Sequence, residues 1–432
     1  MPRCQAPRGT RDLLPAERAA FARLERIALD LATRYGFQPI ETPLFEQSEV
    51  FERAVGSATD VVEKELFRVH AGRGEAERER WALRPEPTAG IVRAYVQHGM
   101  RNLHQPVRLT LTGPMFRYDR PQAGRYRQFW QFDVEAIGDP GPGIDAEIIE
   151  LGARFYREAG LRDVAVRLNS IGDGACRPAY VERLREWFAS QHDRLPPLER
   201  ARLESNPLRL LDSKDPAMEP LIAEAPTITE HLCPACAEHF AGLRAHLEAL
   251  GVAYAVEPRL VRGLDYYTRT AFEFYPPTAE GPQQALGGGG RYDGLVELLG
   301  GQPTPGIGFG LGLDRVVLAL AAQGDEPTAP PHASVVVVSA DPADTVTRLR
   351  IATDLRGAGL RVRADLGQRR LSRQLEGAAR DGAHFAVICG DEITNGQVQV
   401  KDLDAGTQRT VNLADLAREL LRAESQHRHG PA

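Results

Sequence analysis

At 432 residues the chain is long enough for two or three domains, and 42% hydrophobic with 26% charged residues excludes wholesale disorder. It has no apolar run long enough for a membrane helix and no apolar signal core between Met1 and Thr10, and its five cysteines show no disulfide-like density, so a protein of the reducing cytoplasm is expected. The net charge of −6 carries no global nucleic-acid signature, although binding needs only a local basic face.

Arg8 to Asp12 precede Leu13-Leu14-Pro15 and a helix expected from about Ala16 to Tyr35. Its apolar residues Phe21, Leu24, Ile27, Ala28 and Leu31 recur at spacings of three and four, and Gly36 is placed to end it. Phe37 to Phe45 reads as extended, because each proline biases its predecessor away from helix. In Leu83-Arg84-Pro85-Glu86-Pro87-Thr88, Glu86 and Thr88 can share one face of an extended segment and hold an ammonium group. Equally, Thr88 can cap a helix with Glu86 just outside it.

Gly113 to Glu135 reads as strand, loop, strand, with Arg120, Pro121, Gln122 and Gly124 in the loop. The returning strand puts Arg125, Arg127, Phe129, Gln131, Asp133 and Glu135 on one parity, and Tyr126, Gln128, Trp130, Phe132 and Val134 on the other. Arginines and acids along a buried sheet must be paired or face a ligand; along an exposed one they are merely solvated.

Asp145 to Glu158 reads as a covering helix and Val164 to Ser170 as a strand. From 176 to 256 the pattern is helical and loop-rich, interrupted by Pro196-Pro197 and Pro216, as in an inserted helical subdomain. Cys233-Pro-Ala-Cys236 with His239 has zinc-like spacing, but no second pair follows, and Cys176 and Cys389 stand too far away in sequence to assume as partners. A tetrahedral site needs four ligands, so the expectation is a helix start with two thiols and no metal.

Leu260 to Phe274 alternates in its second half, as a half-buried strand does. Its first half sets Arg262, Asp265, Tyr266 and Tyr267 beside Gly263. Such a set suits a small, partly flat, charged ligand, or else an edge strand with a surface arginine. Gly287 to Gly290 is a glycine run ahead of a helix, Leu295 to Leu299, and matches neither a Walker nor a Rossmann spacing. Pro305 to Leu320 reads as a glycine-rich strand and then a helix whose start carries Asp314 and Arg315.

The expected domains are 1–325, a linker at 326–333 rich in proline, and 334–432. In the last, strands at Ser334 to Ser339, Arg361 to Ala364, His384 to Cys389 and Val398 to Val400 alternate with amphipathic helices, which predicts a mixed sheet. Gln368-Arg369-Arg370-Leu371-Ser372-Arg373 is its basic point: a solvated helix start, or one asking for an anionic partner.

Arg262-Gly-Leu-Asp-Tyr-Tyr-Thr-Arg-Thr270 resembles the histidine-binding motif of histidyl-tRNA synthetases, and the likeness runs from about Arg8 to Leu421. The first helix and its proline-bearing strand resemble motif 1 of class II aminoacyl-tRNA synthetases. Gly113 to Glu135 resembles motif 2, with Trp130 where His is frequent and Asp119 where Glu is usual. Pro305 to Leu320 resembles motif 3, and Glu86 to Thr88 a family segment in which Pro87 takes the place of Gly. The resemblance implies an α+β fold: a class II antiparallel sheet with flanking helices, the helical insertion, and a C-terminal α/β mixed-sheet anticodon-binding domain. It implies ligation of L-histidine to tRNA(His) through histidyl-adenylate, with ATP as substrate, Mg2+ accompanying it, and a cytoplasmic homodimer.

By motif, Glu86, Thr88 and Gln131 are expected at the substrate ammonium, Glu135 and Tyr267 at the imidazole, and Tyr266 beside them. Arg117, Arg125 and Arg315 are expected at ATP, with Arg117 on the α-phosphate and Arg315 on the γ-phosphate, and Arg262 between carboxylate and α-phosphate. Arg120, Gln122, Arg369, Arg370 and Arg373 are candidates for tRNA contact. The alternative is the related regulatory subunit of ATP phosphoribosyltransferase, which normally lacks both the C-terminal domain and the intact tyrosine motif.

Overall fold

The computed structural model describes residues 4–56, 61–69, 80–122, 124–205, 207–213, 215–261, 266–276, 285–325, 332–341 and 343–429. Arg262 and Asp265 lie outside the described residues, as does most of the linker expected at 326–333. The chain divides into two compact units, Met1–Thr328 and Ala329–Ala432.

The strands of the first unit are β1 (Gln38–Pro39), β2 (Phe45–Gln47), β3 (Arg68–Val69), β4 (Trp81–Leu83), β5 (Val107–Phe116), β6 (Gln128–Ile137), β7 (Ala165–Ser170), β8 (Tyr254–Val256), β9 (Thr268–Tyr275), β10 (Gly287–Arg291) and β11 (Gly306–Gly312). Eight of them form one sheet in the order β1-β5-β6-β11-β10-β9-β7-β8, while β2, β4 and β3 form a small separate sheet. The large sheet is antiparallel except for one parallel pair at each edge, β1 with β5 and β7 with β8.

The two faces of β6 follow from its alternation. Phe132, Val134 and Ala136 enter the main core beneath helices Pro15–Arg34, Pro142–Ala159, Pro234–Ala249 and Leu313–Ala322, with Phe21, Leu24, Ile148, Phe155, Leu243 and Val316. Gln131, Asp133 and Glu135 point to the opposite face, which helix Thr88–Gln97 covers with Ile91, Val92 and Tyr95. The first helix opens on Pro15, whose missing N–H costs nothing there, and is followed by Gly36 at φ 77°. Trp130 stands on the core side, edge-on to Phe21 with centroids 5.8 Å apart, away from the face that carries the polar residues.

The stretch 176–256 divides between two packing environments. Tyr180, Leu184, Phe188, Leu195, Leu203, Leu210, Met218 and Ile228 form a core of their own, whereas Phe240, Leu243 and Leu247 of helix Pro234–Ala249 belong to the main core and β8 joins the large sheet. The glycine run, to which the sequence assigned no secondary structure, is the interior strand β10, paired on both sides. Glycine has little intrinsic preference for strand, and here the neighbours decide: a Cβ on Gly289 would stand 2.0 Å from the carbonyl oxygen of Gly308.

The second unit contains β12 (Val335–Ser339), β13 (Val362–Ala364), β14 (Phe385–Cys389), β15 (Gln397–Asp402) and β16 (Gln408–Asn412), in the order β13-β12-β14-β15-β16. β13, β12 and β14 run parallel, while β15 and β16 are antiparallel additions, so the sheet is mixed as the alternation predicts. The edge strand β16 has a single buried residue, Val411, and so lacked an apolar signal in the sequence.

Candidate active site

Along β11, Gly306, Gly308, Gly310 and Gly312 alternate with Ile307, Phe309 and Leu311, and only the second set enters the main core. The glycines form a trough that neighbouring side chains fill. Gly308 pairs with Glu135 and Gly310 with Asp133. A Cβ on Gly308 would lie 1.8 Å from Glu135 Oε2, and one on Gly310 would lie 2.7 Å from Asp133 Oδ1 and 2.8 Å from Gln131 Nε2. A Cβ on Gly306 would meet the Tyr292 ring at 2.2 Å. Glycine is required here because other side chains lie against the backbone.

One end of this trough is acidic and closed. Both oxygens of Glu86 accept backbone N–H groups at the start of helix Thr88–Gln97, from Thr88 and Ala89, each at 2.9 Å. Glu86 thus does the capping expected of Thr88, with Pro87 at the N-cap position, and the Thr88 hydroxyl is left to donate to Glu135 Oε1 at 2.6 Å. Glu135 Oε2 accepts from Tyr292, and Tyr266 donates to Glu86 Oε2 at 3.4 Å. Tyr266 also packs on Tyr267, with ring centroids 4.6 Å apart.

Three carboxyl groups are buried together here: Glu86, Asp133 and Glu135. Burial pushes Glu135 up to about 8, against the opposing hydrogen bonds from Thr88 and Tyr292. Burial likewise raises Glu86, and burial plus the nearby Glu135 and Glu86 holds Asp133 well above the usual carboxylate range. Gln131 Oε1 and Asp133 Oδ2 are buried without a hydrogen-bond partner among the described residues. Clustered buried carboxyls and unpaired acceptors together suit a ligand that brings N–H donors and positive charge.

The other end is an open cleft of about 690 Å³, lined by Arg117, Arg125, Phe129, Gln131, Glu273 and Arg315 among others. Arg117 donates through Nε to the Pro85 carbonyl at 2.8 Å, and its guanidinium lies 5.5 Å from the centre of the Phe129 ring. Arg125 pairs through Nε with Asp119 at 2.5 Å, so the aspartate at this position anchors an arginine. Arg315 donates to the Ala285 carbonyl, and burial together with Arg125 and Arg117 lowers its pKa. Partly desolvated cations that repel one another suit a polyanion.

The structure therefore gathers Glu86, Thr88, Glu135, Tyr266 and Tyr267 at one end, and Arg117, Arg125 and Arg315 in the cleft, with Gln131 lining the cleft beside the acidic end. Arg120 and Gln122 are exposed on the loop before β6. Arg369, Arg370 and Arg373 are exposed around the start of helix Leu371–Arg380 in the second unit, with Arg373 2.7 Å from Glu376. Val261, the residue before Arg262, lines the cleft.

Sequence reasoning assigned no role to Tyr292 or Asp133. Asp133 sat on the ligand-facing parity and could have been included; Tyr292, next to the glycine run, reaches Glu135 only through the strand order. The buried ion pair of Arg291 with Asp145 was also missed, as was its partner His239, whose Nε2 lies 2.8 Å from Asp145. His239 is thereby drawn away from Cys233 and Cys236, beside which the sequence placed it.

The histidyl-tRNA synthetase family model matches residues 9–172 and 199–316, and the anticodon binding domain model matches 333–423. The histidine–tRNA ligase of Moorella thermoacetica is 47% identical over 409 residues, covering 94% of this chain and 96% of that protein. The histidine–tRNA ligase of Koribacter versatilis is 45% identical over 421 residues, covering 96% and 95%. The crystal structure of apo histidyl-tRNA synthetase from S. aureus superposes with a TM-score of 0.80 at 35% identity, over 96% of this chain and 99% of that one.

Proposed function

From the premise that the chain belongs to the histidyl-tRNA synthetase family, we propose that its acidic trough and arginine-lined cleft are the two halves of one histidine-activating site. The protein is a histidine–tRNA ligase: it joins L-histidine to ATP as histidyl-adenylate and passes the histidyl group to tRNA(His). The regulatory-subunit alternative is not favoured, because the full-length relatives carry the ligase name and the anticodon-binding model matches the second unit.

The observation that carries the division of labour is the juxtaposition of three buried carboxyls, each raised by burial, with a cleft of mutually repelling arginines. The histidine ammonium goes to Glu86, Thr88 and Gln131, and its imidazole to Glu135 and Tyr267, with Tyr266 as the wall between them. The histidine carboxylate then attacks the α-phosphorus. A new P–O bond forms as the bond to pyrophosphate breaks, and charge builds on the phosphoryl oxygens. Arg117 stabilises that charge at the α-phosphate and Arg315 at the γ-phosphate, while Arg125 holds the loop over the nucleotide. Arg262, outside the described residues, takes the place between carboxylate and α-phosphate. In the second step a terminal ribose hydroxyl of tRNA attacks the activated carbonyl carbon and AMP leaves.

Magnesium arrives with ATP as part of the substrate, and Glu273 in the cleft offers the oxygen donor it takes. Arg120 and Gln122 are assigned to the tRNA 3′ end, and Arg369, Arg370 and Arg373 to the anticodon side. The working form is a cytoplasmic homodimer, with domains at 1–325 and 334–432. The test is histidine-dependent pyrophosphate exchange by the purified chain and its Arg262→His variant. Loss of one such fixed cation costs about 2.7–4 kcal/mol of transition-state stabilisation, so exchange should be nearly abolished in a folded protein. Exchange near the unmodified rate would remove Arg262 from the reaction.

A further inference from the structure

We propose that Asp173, Cys176, Cys233 and Cys236 form a closed, structural zinc site behind the tyrosine-bearing segment. Their four ligand atoms all lie within 4.8 Å of one another. In sequence they are two pairs of the same spacing, Asp173-Gly-Ala-Cys176 and Cys233-Pro-Ala-Cys236. Each pair wraps the start of a helix, with Cys176 at the N-cap position of Arg177–Ser190 and Cys233 at that of Pro234–Ala249. The second pair, taken alone, had no partner in the sequence. The fold brings Cys176 and Asp173 to it across about 60 residues.

The dimensions are those of a tetrahedron. With Zn–S bonds of about 2.3 Å, ligand atoms at its corners stand about 3.8 Å apart. Asp173 Oδ1 lies 3.7 Å from Cys176 Sγ and 3.9 Å from Cys233 Sγ, so the widest separation needs only roughly 1 Å of closure. The backbone N–H of Asp173 donates to Cys176 Sγ at 3.4 Å. Asp173 Oδ2 faces away, 3.2 Å from Arg269 Nη2, and this outer partner fixes which oxygen points at the thiols.

Other readings explain these contacts less well. A disulfide would use two of the three thiols and leave the carboxylate facing the third, and all three cysteines are free. Ordinary core packing would surround the buried Cys176 and Cys236 with aliphatic groups, but here a carboxylate oxygen stands against the thiols. As thiols, Cys176 and Cys233 donate to Asp173 Oδ1; once the thiols lose their protons the four groups repel one another, and a divalent cation makes that arrangement binding. Three sulfurs and one oxygen in four-fold coordination select zinc: iron–sulfur clusters call for four thiolates, and harder cations for oxygen ligands.

The site ties down the segment that reads the substrate. Arg269 adopts φ 51°, unusual for a residue other than glycine, and is held there by backbone hydrogen bonds to Ile171 and Gly172 as well as by Asp173. Arg177, next to Cys176, donates to the Tyr267 carbonyl at 2.5 Å. Loss of the metal therefore loosens Tyr266 and Tyr267. That consequence rests on the proposed role of the tyrosines in binding histidine, whereas the metal site does not.

The experiment counts metal first. Full-length protein purified without chelator should hold one zinc per chain by mass spectrometry of the metal. After removal and reloading with cobalt, it should show the thiolate-to-cobalt and ligand-field absorption of a tetrahedral sulfur-rich site. Cys233→Ser, a half-buried change, and Asp173→Asn should lose that zinc on dialysis, while Asp173→Cys should keep it. Folded wild-type protein that takes up no zinc from a stoichiometric supply overturns the proposal, as does full zinc retention by both Cys233→Ser and Asp173→Asn. Should Cys233→Ser fail to fold, the wild-type cobalt spectrum still decides, because octahedral or sulfur-free absorption contradicts the site. A histidine KM unchanged on metal loss, with zinc confirmed, would remove only the link to the tyrosines.

Discussion

The Thr88 hydroxyl donates to Glu135 Oε1 at 2.6 Å, fastening the start of helix Thr88–Gln97 to the middle of the central sheet. Two residues 47 positions apart, assigned to opposite ends of the substrate, thus share a hydrogen bond. Glu135 Oε2 is taken by Tyr292, so both oxygens of this carboxyl are oriented before any substrate arrives. Such preorganisation means that the site need not rearrange its own donors when charge arrives.

Tyr292→Phe removes one of those two donors and leaves the ring in place. A buried acceptor that loses its partner costs about 1–3 kcal/mol, so the histidine KM should rise roughly tenfold while the ATP KM stays put. Steady-state exchange, varying each substrate in turn, reads this directly. Equal weakening of both substrates would show that Tyr292 supports the sheet and does not orient Glu135.

The raised pKa of Glu135 has a consequence for stability. In the unfolded chain this group loses its proton near the ordinary glutamate value, but in the folded chain it holds it until about 8. Between those values the native state binds more protons, so stability falls as pH rises through the window and levels off above it. The slope from one group is at most about 1.4 kcal/mol per pH unit. Urea unfolding without ligands between pH 5.5 and 8.5 should show the fall, and Glu135→Gln should flatten part of it; the rest belongs to Asp133 and Glu86, which are raised in the same sense. A variant with an undiminished slope would place the titration elsewhere.

Gly308→Ala tests the trough. The added methyl would sit 1.8 Å from Glu135 Oε2 and 2.4 Å from the Val134 carbonyl oxygen. The second of these is backbone in an interior strand and cannot step aside, so a loss of about 1–3 kcal/mol of stability and most histidine affinity is expected. Gly143→Ala is the matched control, because nothing lies within 4 Å of its Cβ and it sits inside helix Pro142–Ala159. It should be neutral or slightly stabilising. Thermal melts and histidine titrations on the pair separate a packing requirement at Gly308 from a general intolerance of change.

These residues also mark where sequence reasoning stops. The parity of β6 was legible because Gln131, Asp133 and Glu135 alternate with Phe132 and Val134 over one strand. The helix Pro15–Arg34 was legible from its periodicity to within a residue at each end. By contrast, β10 is nearly all glycine, and its strand state comes from β9 and β11 on either side. The bond from Tyr292 to Glu135 spans 157 residues and follows from the order of strands, which no local pattern encodes. Cys176 was set aside for the same reason: its distance from Cys233 in sequence is large and in space small.

Removing the chain after Gln323 should separate the two half-reactions. Among the described residues, the hydrophobic clusters of the first unit end at Leu320, and those of the second begin at Val335. The arginines assigned to ATP all precede the cut, and so does the whole acidic trough. Activation of histidine therefore keeps every group proposed for it. Transfer to tRNA loses Arg369, Arg370 and Arg373, and with them the phosphate contacts proposed for them, which release counterions on binding. The truncated protein should retain substantial pyrophosphate exchange, charge tRNA poorly, and bind it with a shallower dependence on salt. Exchange and charging run side by side on the same preparation decide the matter. Undiminished charging would give the second unit some other task, and exchange lost in a folded protein would show that the second unit supports the active site itself.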